Sequence, residues 1–406
     1  MLALLSACSG SSAEAGPPTA AQIRALLTSH AAAVRDHDRA AFLAGVAPGA
    51  ASAAFRTAQA AEFDNLAKLS LSTWRYTLAT RTDDTASERS ATRRLSSDAV
   101  IYQVTLTYGL ASFDPLPTTR TLYWTFVSRG GKAVVAADSD LADVGGASWK
   151  GPWDFGPLVV GRGTSALVLA HQSAGNLSTV VAQVDAAVPA VTAVWGSGWV
   201  RRVVVLIPSS ADELRAEAGL SSELTTDVAA STVSDGSDPL TRAALGLRLV
   251  VNPPALAKLS TQGREITLRH EITHIATGAV TSDSSPRWLV EGFADYVGLL
   301  GSGQSPTTAA AELTRAVRAG QVPTALPAET AFDTDSTTAE AYEASWLACR
   351  LIAQRYGQAA LLRFYRAVGV SYDPEHSVQN ALASVLHTTL PAFTARWRAY
   401  LRTELG

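Results

Sequence analysis

The chain has 406 residues, 47% of them hydrophobic, and a formal net charge of −3 at pH 7. That length and apolar content predict two domains, with three as the alternative, and are ample for sizeable cores. A charge so near balance gives no pointer to nucleic acid or an anionic surface, and no nucleic-acid partner is expected.

In chain order, residues 1–18 read as a truncated signal and tether. Leu5-Ser6-Ala7-Cys8 is similar to a bacterial lipobox, and the short stretch before it carries no basic residue. The resemblance implies lipidation at Cys8, so that the membrane is met only through an N-terminal lipid anchor and the protein is an extracytoplasmic cell-envelope lipoprotein. Ser9 to Pro18 is small, polar and proline-containing, as a tether would be. The second cysteine, Cys349, lies beside Trp346 and Leu347 on a helical pattern, which predicts a buried, inert thiol.

Residues 19–144 predict one α+β domain. An amphipathic helix spans 20–37, and an alanine-rich helix runs from Ala50 to Leu66. Four period-two runs follow, around Trp74–Leu78, Val100–Tyr108, Leu122–Phe126 and Lys132–Ala137, the last after a Gly130-Gly131 turn. Two helices followed by an antiparallel meander resemble the cystatin-like or nuclear-transport-factor-like cone. Asp36-His37-Asp38 falls at a helix end and reads as solvated. Gly145 to Gly156 contains several breakers and predicts a linker.

The second domain is expected over 157–406. Leu158–Leu169 is a strand pattern interrupted by Gly161 and Gly163, with His171 in the loop beyond. A long helix covers Leu177–Trp195, a strand Val203–Ile207 and a short helix Ala211–Ala218. Asp227–Val233 and Leu245–Val251 are two further strands. From about residue 301 the pattern is all-helical: Thr307–Arg318, Thr338–Tyr356, Gln358–Val368, Val378–Leu386 and Pro391–Leu405.

Between the strands and that lobe lies the chemistry. His270-Glu271-Ile272-Thr273-His274 puts two imidazoles one turn apart on a helix expected from Gly263 to Gly278, both able to reach one cation. Glu271 sits one residue round, where it can act as general base for a water without being a ligand. A second helix, opening at Pro286 with Ser285 as N-cap, is apolar nearly all round from Trp288 to Leu300. Its only carboxylates are Glu291 and Asp295, again one turn apart. A buried carboxylate needs a partner. Glu291 is therefore expected as third ligand, and Asp295 as the acceptor that orients His270.

These two motifs resemble those of the gluzincin metallopeptidases, and Trp288-Leu289-Val290-Glu291-Gly292-Phe293-Ala294-Asp295-Tyr296 is similar to the peptidase MA-like bacterial families. Sixteen residues separate His274 from Glu291, fewer than in the best-known gluzincins. The resemblance implies a zincin-like domain with a mixed sheet beneath an active-site helix and a helical lobe across the cleft. It implies Zn²⁺ as cofactor and a peptide or protein as substrate. An aminopeptidase needs an anchor for the substrate's free amine, and the sequence identifies none, so endopeptidase action is expected. The resemblance also implies that the strand before the metal helix, through Arg248, Val250 and Asn252, borders the cleft and takes an extended peptide; a plain edge strand is the alternative. Tyr342 matches a tyrosine that relatives place near the metal, as an oxyanion donor or simply packed; His387 is a weaker rival and His376 is expected to be exposed. The function expected is zinc-dependent peptide hydrolysis outside the cytoplasmic membrane. A catalytically weak, metal-containing envelope binding or assembly module is the alternative.

Overall fold

The structure is a computed structural model that describes residues 16–82, 84–171, 174–218, 228–238, 244–333 and 335–406. The chain divides into two units. The first runs to Asp154 but for residues 111–118, which belong with 155–406 in the second.

In unit 1, helix α1 (Ala20–Arg35) is started by Thr19, whose hydroxyl accepts the Gln22 N–H while the Gln22 side chain returns to the Thr19 backbone. Ile23, Leu27, Ala31 and Val34, spaced three and four apart, form its buried face. Asp38 then caps a helix the periodicity did not predict, α2 (Arg39–Ala44), and His37 between them takes a positive φ of 55°. After α3 (Ala53–Leu66) come β1 (Leu71–Arg81), a second unexpected helix α4 (Thr85–Arg94), β2 (Val100–Leu110), β3 (Thr118–Arg129) and β4 (Lys132–Ala137). The strands pair antiparallel in the order β1-β2-β3-β4, as a meander should. Both missed helices are short, six and ten residues, and Asp38 and Asp84 start them by accepting backbone N–H groups.

The expected linker at 145–156 is mostly part of unit 1. Trp149 stacks on Tyr108 at 5.5 Å and Trp153 meets Tyr108 and Trp74 at 5.4 Å each. Two indoles bury too much apolar area to be left on a tether, so the boundary falls after Asp154.

Unit 2 is built on a five-stranded mixed sheet. Its strands are β5 (Leu158–Arg162), β6 (Ala166–His171), β7 (Val203–Ile207), β8 (Ala230–Val233) and β11 (Arg248–Val251), in the order β5-β6-β7-β11-β8. The small pair β9 (Gly236–Ser237) and β10 (Ala244–Leu245) stands apart. β6, β7 and β11 run parallel, and β5 and β8 run antiparallel at the two ends. Every residue of Val203–Ile207 and Arg248–Val251 is buried, the signature of interior strands covered on both faces.

The strands are joined by α5 (Ser178–Trp195) and α6 (Ala211–Ala218). α5 is long and apolar enough to cross a membrane by length and composition, yet Val184, Val188, Val191 and Trp195 form a buried face against the core of this unit. Helices α7 (Pro253–Lys258), α8 (Thr261–Thr277) and α9 (Arg287–Leu299) follow. The lobe beyond comprises α10 (Pro306–Ala309), α11 (Ala311–Arg318), α12 (Asp335–Tyr356), α13 (Gln358–Gly369), α14 (Ser377–Leu386) and α15 (Leu390–Leu405). The single helix expected over 307–318 is broken at Ala310, where φ and ψ of −124° and 61° leave the helical region.

Candidate metal centre

α8 begins at Ser260, whose hydroxyl accepts the Gly263 N–H at 3.0 Å, so the helix starts ahead of Gly263. Leu268, Ile272, Ile275 and Ala276 are buried in the core of unit 2, and His270 and His274 are turned from that stripe and partly exposed. Gly278 does end the helix, but at a right-handed φ of −55° and not as a left-handed cap. Its value is closeness: a Cβ there would sit 2.7 Å from Leu247.

α9 starts one residue later than expected. Pro286 is its N-cap at ψ 146°, and the Ser285 hydroxyl instead accepts from the Ser282 N–H. Trp288, Leu289, Phe293, Ala294 and Val297 are buried, each large side chain contributing roughly 2 kcal/mol by burial. Two glycines let α9 come near its neighbours. A Cβ on Gly292 would lie 2.3 Å from the Ser345 carbonyl of α12, and one on Gly298 would lie 2.9 Å from the Ile266 carbonyl of α8. Only bare backbone fits at both contacts, and they deliver Glu291 to the histidines.

The three expected ligands converge. His270 Nε2 and His274 Nε2 are 3.1 Å apart, and Glu291 Oε2 lies 3.3 Å from the first and 3.4 Å from the second. Ligand atoms about 2.0–2.1 Å from a tetrahedral Zn²⁺ stand roughly 3.3–3.4 Å from one another. The donor set, two imidazole nitrogens and one carboxylate oxygen, thus fits such an ion in both spacing and chemistry, and it is the one such cluster among the described residues. Asp295 accepts the His270 Nδ1 proton at 2.7 Å, so the Nε2 lone pair is the one turned to the cluster.

Electrostatics agree with the geometry. Burial opposes charge on His270, but Asp295, with Glu291 and Glu271, holds its pKa well above the usual histidine range. Burial likewise opposes ionised Glu291, and its contacts with His270 and His274 overcome that and hold it well below the usual carboxylate range. On α12, the Tyr342 ring lies 6.3 Å from that of His270 and 5.3 Å from that of Phe332. Burial, reinforced by Glu291, pushes its phenol above the usual range, against the pull of the Arg287 guanidinium.

Glu271 is buried on the other side of His270. The Thr232 hydroxyl donates to its Oε2 at 2.8 Å and contacts its backbone carbonyl at 2.9 Å. Sequence reasoning predicted the strand but not this residue, since nothing in 230–233 marks one threonine from its neighbours. Arg287 was missed too. It stands one turn before Glu291, lies 4.9 Å over Phe332 and pairs with Asp333 at 2.8 Å; the i, i+4 spacing to Glu291 was the available signal.

The substrate strand expected at Arg248–Asn252 is not an edge. β11 is paired on one side with β7 and on the other with β8, so its backbone has no free ladder. Arg248 is buried in a two-pronged ion pair with Asp114, at 2.6 and 2.9 Å, and Val250 and Asn252 are buried as well. Among the described residues, the terminal strand on that side is β8.

His171 is not a loop residue. It ends β6, buried, with Nε2 2.6 Å from Glu213 Oε1. Cys349 is fully buried, and burial pushes its thiol up. His387 caps the end of α14 at a left-handed φ of 51°, and His376 is exposed against Asp373. Cys8 lies outside the described residues.

No protein-family model matches the chain, and no curated protein matches it. Among solved structures it is similar to a mutant two-domain M1 zinc metallopeptidase bound to L-arginine, at TM-score 0.36 and 13% identity over 76% of this chain and 90% of that one. It is similar to a mutant M1 zinc metallopeptidase from Deinococcus radiodurans bound to a Tyr-Ser-Ala substrate, at TM-score 0.36 and 13% identity over 75% and 90%.

Proposed function

We propose that this chain is a zinc-dependent peptidase of the gluzincin type, acting as an endopeptidase outside the cytoplasmic membrane. The observation that carries the reading is the triangle of His270, His274 and Glu291 donor atoms, 3.1–3.4 Å on a side, with Glu271 on the same helix. His270, His274 and Glu291 would hold the ion, and Asp295, accepting from His270 Nδ1, keeps that ring in the ligating tautomer. Zinc, when bound, lowers the pKa of water towards ~7 and polarises the scissile carbonyl.

Glu271 takes the proton of the attacking water and later delivers it to the leaving amine. The Tyr342 phenol, its ring 6.3 Å from that of His270, donates to the carbonyl oxygen as charge develops there. The peptide lies along β8, not β11. Support comes from the terminal position of β8 among the described strands and from its contact with Glu271 through Thr232. A strand terminal among those described can take an internal, extended segment, which favours endopeptidase action. Unit 1 is read as a cystatin-like domain from its order of helices and meander, and the lipobox-like Cys8 supports an envelope location.

The test is zinc analysis of the purified chain together with cleavage of an unstructured protein by wild type and Glu271→Gln. One zinc per chain and a fall of about 10³-fold in kcat are expected. Cleavage that survives the substitution sinks the mechanism. A zinc-loaded protein inert towards broad peptide libraries sinks the activity and favours the binding-module alternative.

A further inference from the structure

The reading above assigns Glu271 a task that depends on where its carboxylate points, and a glutamate has three rotatable bonds on which to lose that aim. Among the described residues, Thr232 is the only side chain that hydrogen-bonds this carboxylate. We propose that Thr232 is a positioning residue for Glu271, an inference that rests on the peptidase reading. Its hydroxyl reaches Glu271 at two points, the backbone carbonyl at 2.9 Å and Oε2 at 2.8 Å. It therefore measures the side chain against its own main chain and ties down Oε2, leaving Oε1 as the oxygen available to a water.

The anchor is stiff for identifiable reasons. Thr232 is β-branched and sits in a strand, where its side-chain torsion is restricted. Its strand partner is Leu249, fully buried in β11, in an antiparallel register that runs from Arg248↔Val233 to Val251↔Ala230. An error in carboxylate placement of an ångström or less is enough to slow proton transfer, so a hydroxyl fixed to the sheet and reaching the active-site helix has leverage over turnover. Because β8 is also the strand proposed to take the peptide, one strand would align both substrate and base.

The experiment uses the full zinc-loaded chain with Thr232→Val, near-isosteric but without the hydroxyl, and Thr232→Ser, which keeps it. For Val, kcat is expected to fall about tenfold, with KM within about twofold of wild type and one zinc retained. For Ser, most of the lost rate returns. In a Glu271→Gln background, Thr232→Val should cost nothing more, because the group it positions is gone. An unchanged kcat in the Val variant, a Ser variant as slow as Val, or zinc lost from either overturns the proposal. Thr232→Ala provides the same comparison should the Val variant not fold. If wild type with its zinc cleaves nothing, the peptidase reading fails by itself, and positioning is read from the affinity of a short peptide hydroxamate, which hands a proton to Glu271 on binding. About tenfold weaker binding in Thr232→Val, recovered in Thr232→Ser, supports it; equal affinities refute it.

Discussion

The core of unit 1 and the helix pair of unit 2 each bury imidazoles, with opposite results. His30 is stacked 3.9 Å from Phe42 and edge-on to Trp124, and neither ring nitrogen has a well-formed hydrogen bond. Burial lowers its pKa to about 4, offset only in part by nearby Gln59 and the Phe42 carbonyl. His270 is only partly buried, and there Asp295 and Glu291 reverse the effect of burial. His171 shows the same reversal with one carboxylate: Glu213 raises its pKa although burial opposes it. Burial alone makes a histidine a neutral core residue and an acidic partner restores its charge; among the described residues, only at His270 do a second imidazole and a carboxylate converge as a ligand set.

The comparison breaks at its strongest point if Glu291→Ala keeps its zinc. Removing one of three ligands should weaken zinc binding by about 10³-fold or more, measured by competition with a chelator. Retention at near wild-type affinity would mean that the triangle is not the site.

His30 sharpens the other side. Between pH 6.5 and 4 the unfolded chain binds a proton on this ring that the folded chain refuses, so its contribution to stability falls as the pH is lowered through that window. The loss amounts to about 3 kcal/mol in total. Glu62 and Asp154, raised by burial, the latter to about 6, work the other way and must be cancelled. The measurement is therefore the difference in urea unfolding free energy between wild type and His30→Phe at pH 7 and pH 4. Wild type should lose about 3 kcal/mol relative to the variant on acidification; a constant difference would show that His30 is protonated in the folded state.

Asp295→Asn tests the smaller link. It keeps the shape of the side chain but removes the charge that orients His270, and zinc affinity should drop about 10–100-fold with the fold intact. No change in affinity would make Asp295 an incidental neighbour.

Some residues were readable in advance and others were not, for one physical reason. The chain determined by itself everything that depends on spacing within a helix or strand. His270 and His274 share a face, Glu291 and Asp295 share the next, and the strands of unit 1 pair in sequence order, because helical and pleated periods are written locally. Tertiary structure decided what depends on residues far apart. Arg248 looked free until Asp114, 134 residues away, was found beside it. β11 looked like an edge until β8 was added outside it, and Trp149 and Trp153 looked like linker until the aromatic wall of unit 1 claimed them. Thr232 acquired its contact with Glu271 the same way, across 39 residues. Sheet order and ion pairing are set by which long-range contacts bury most surface and satisfy most charge, and no window along the sequence contains both partners.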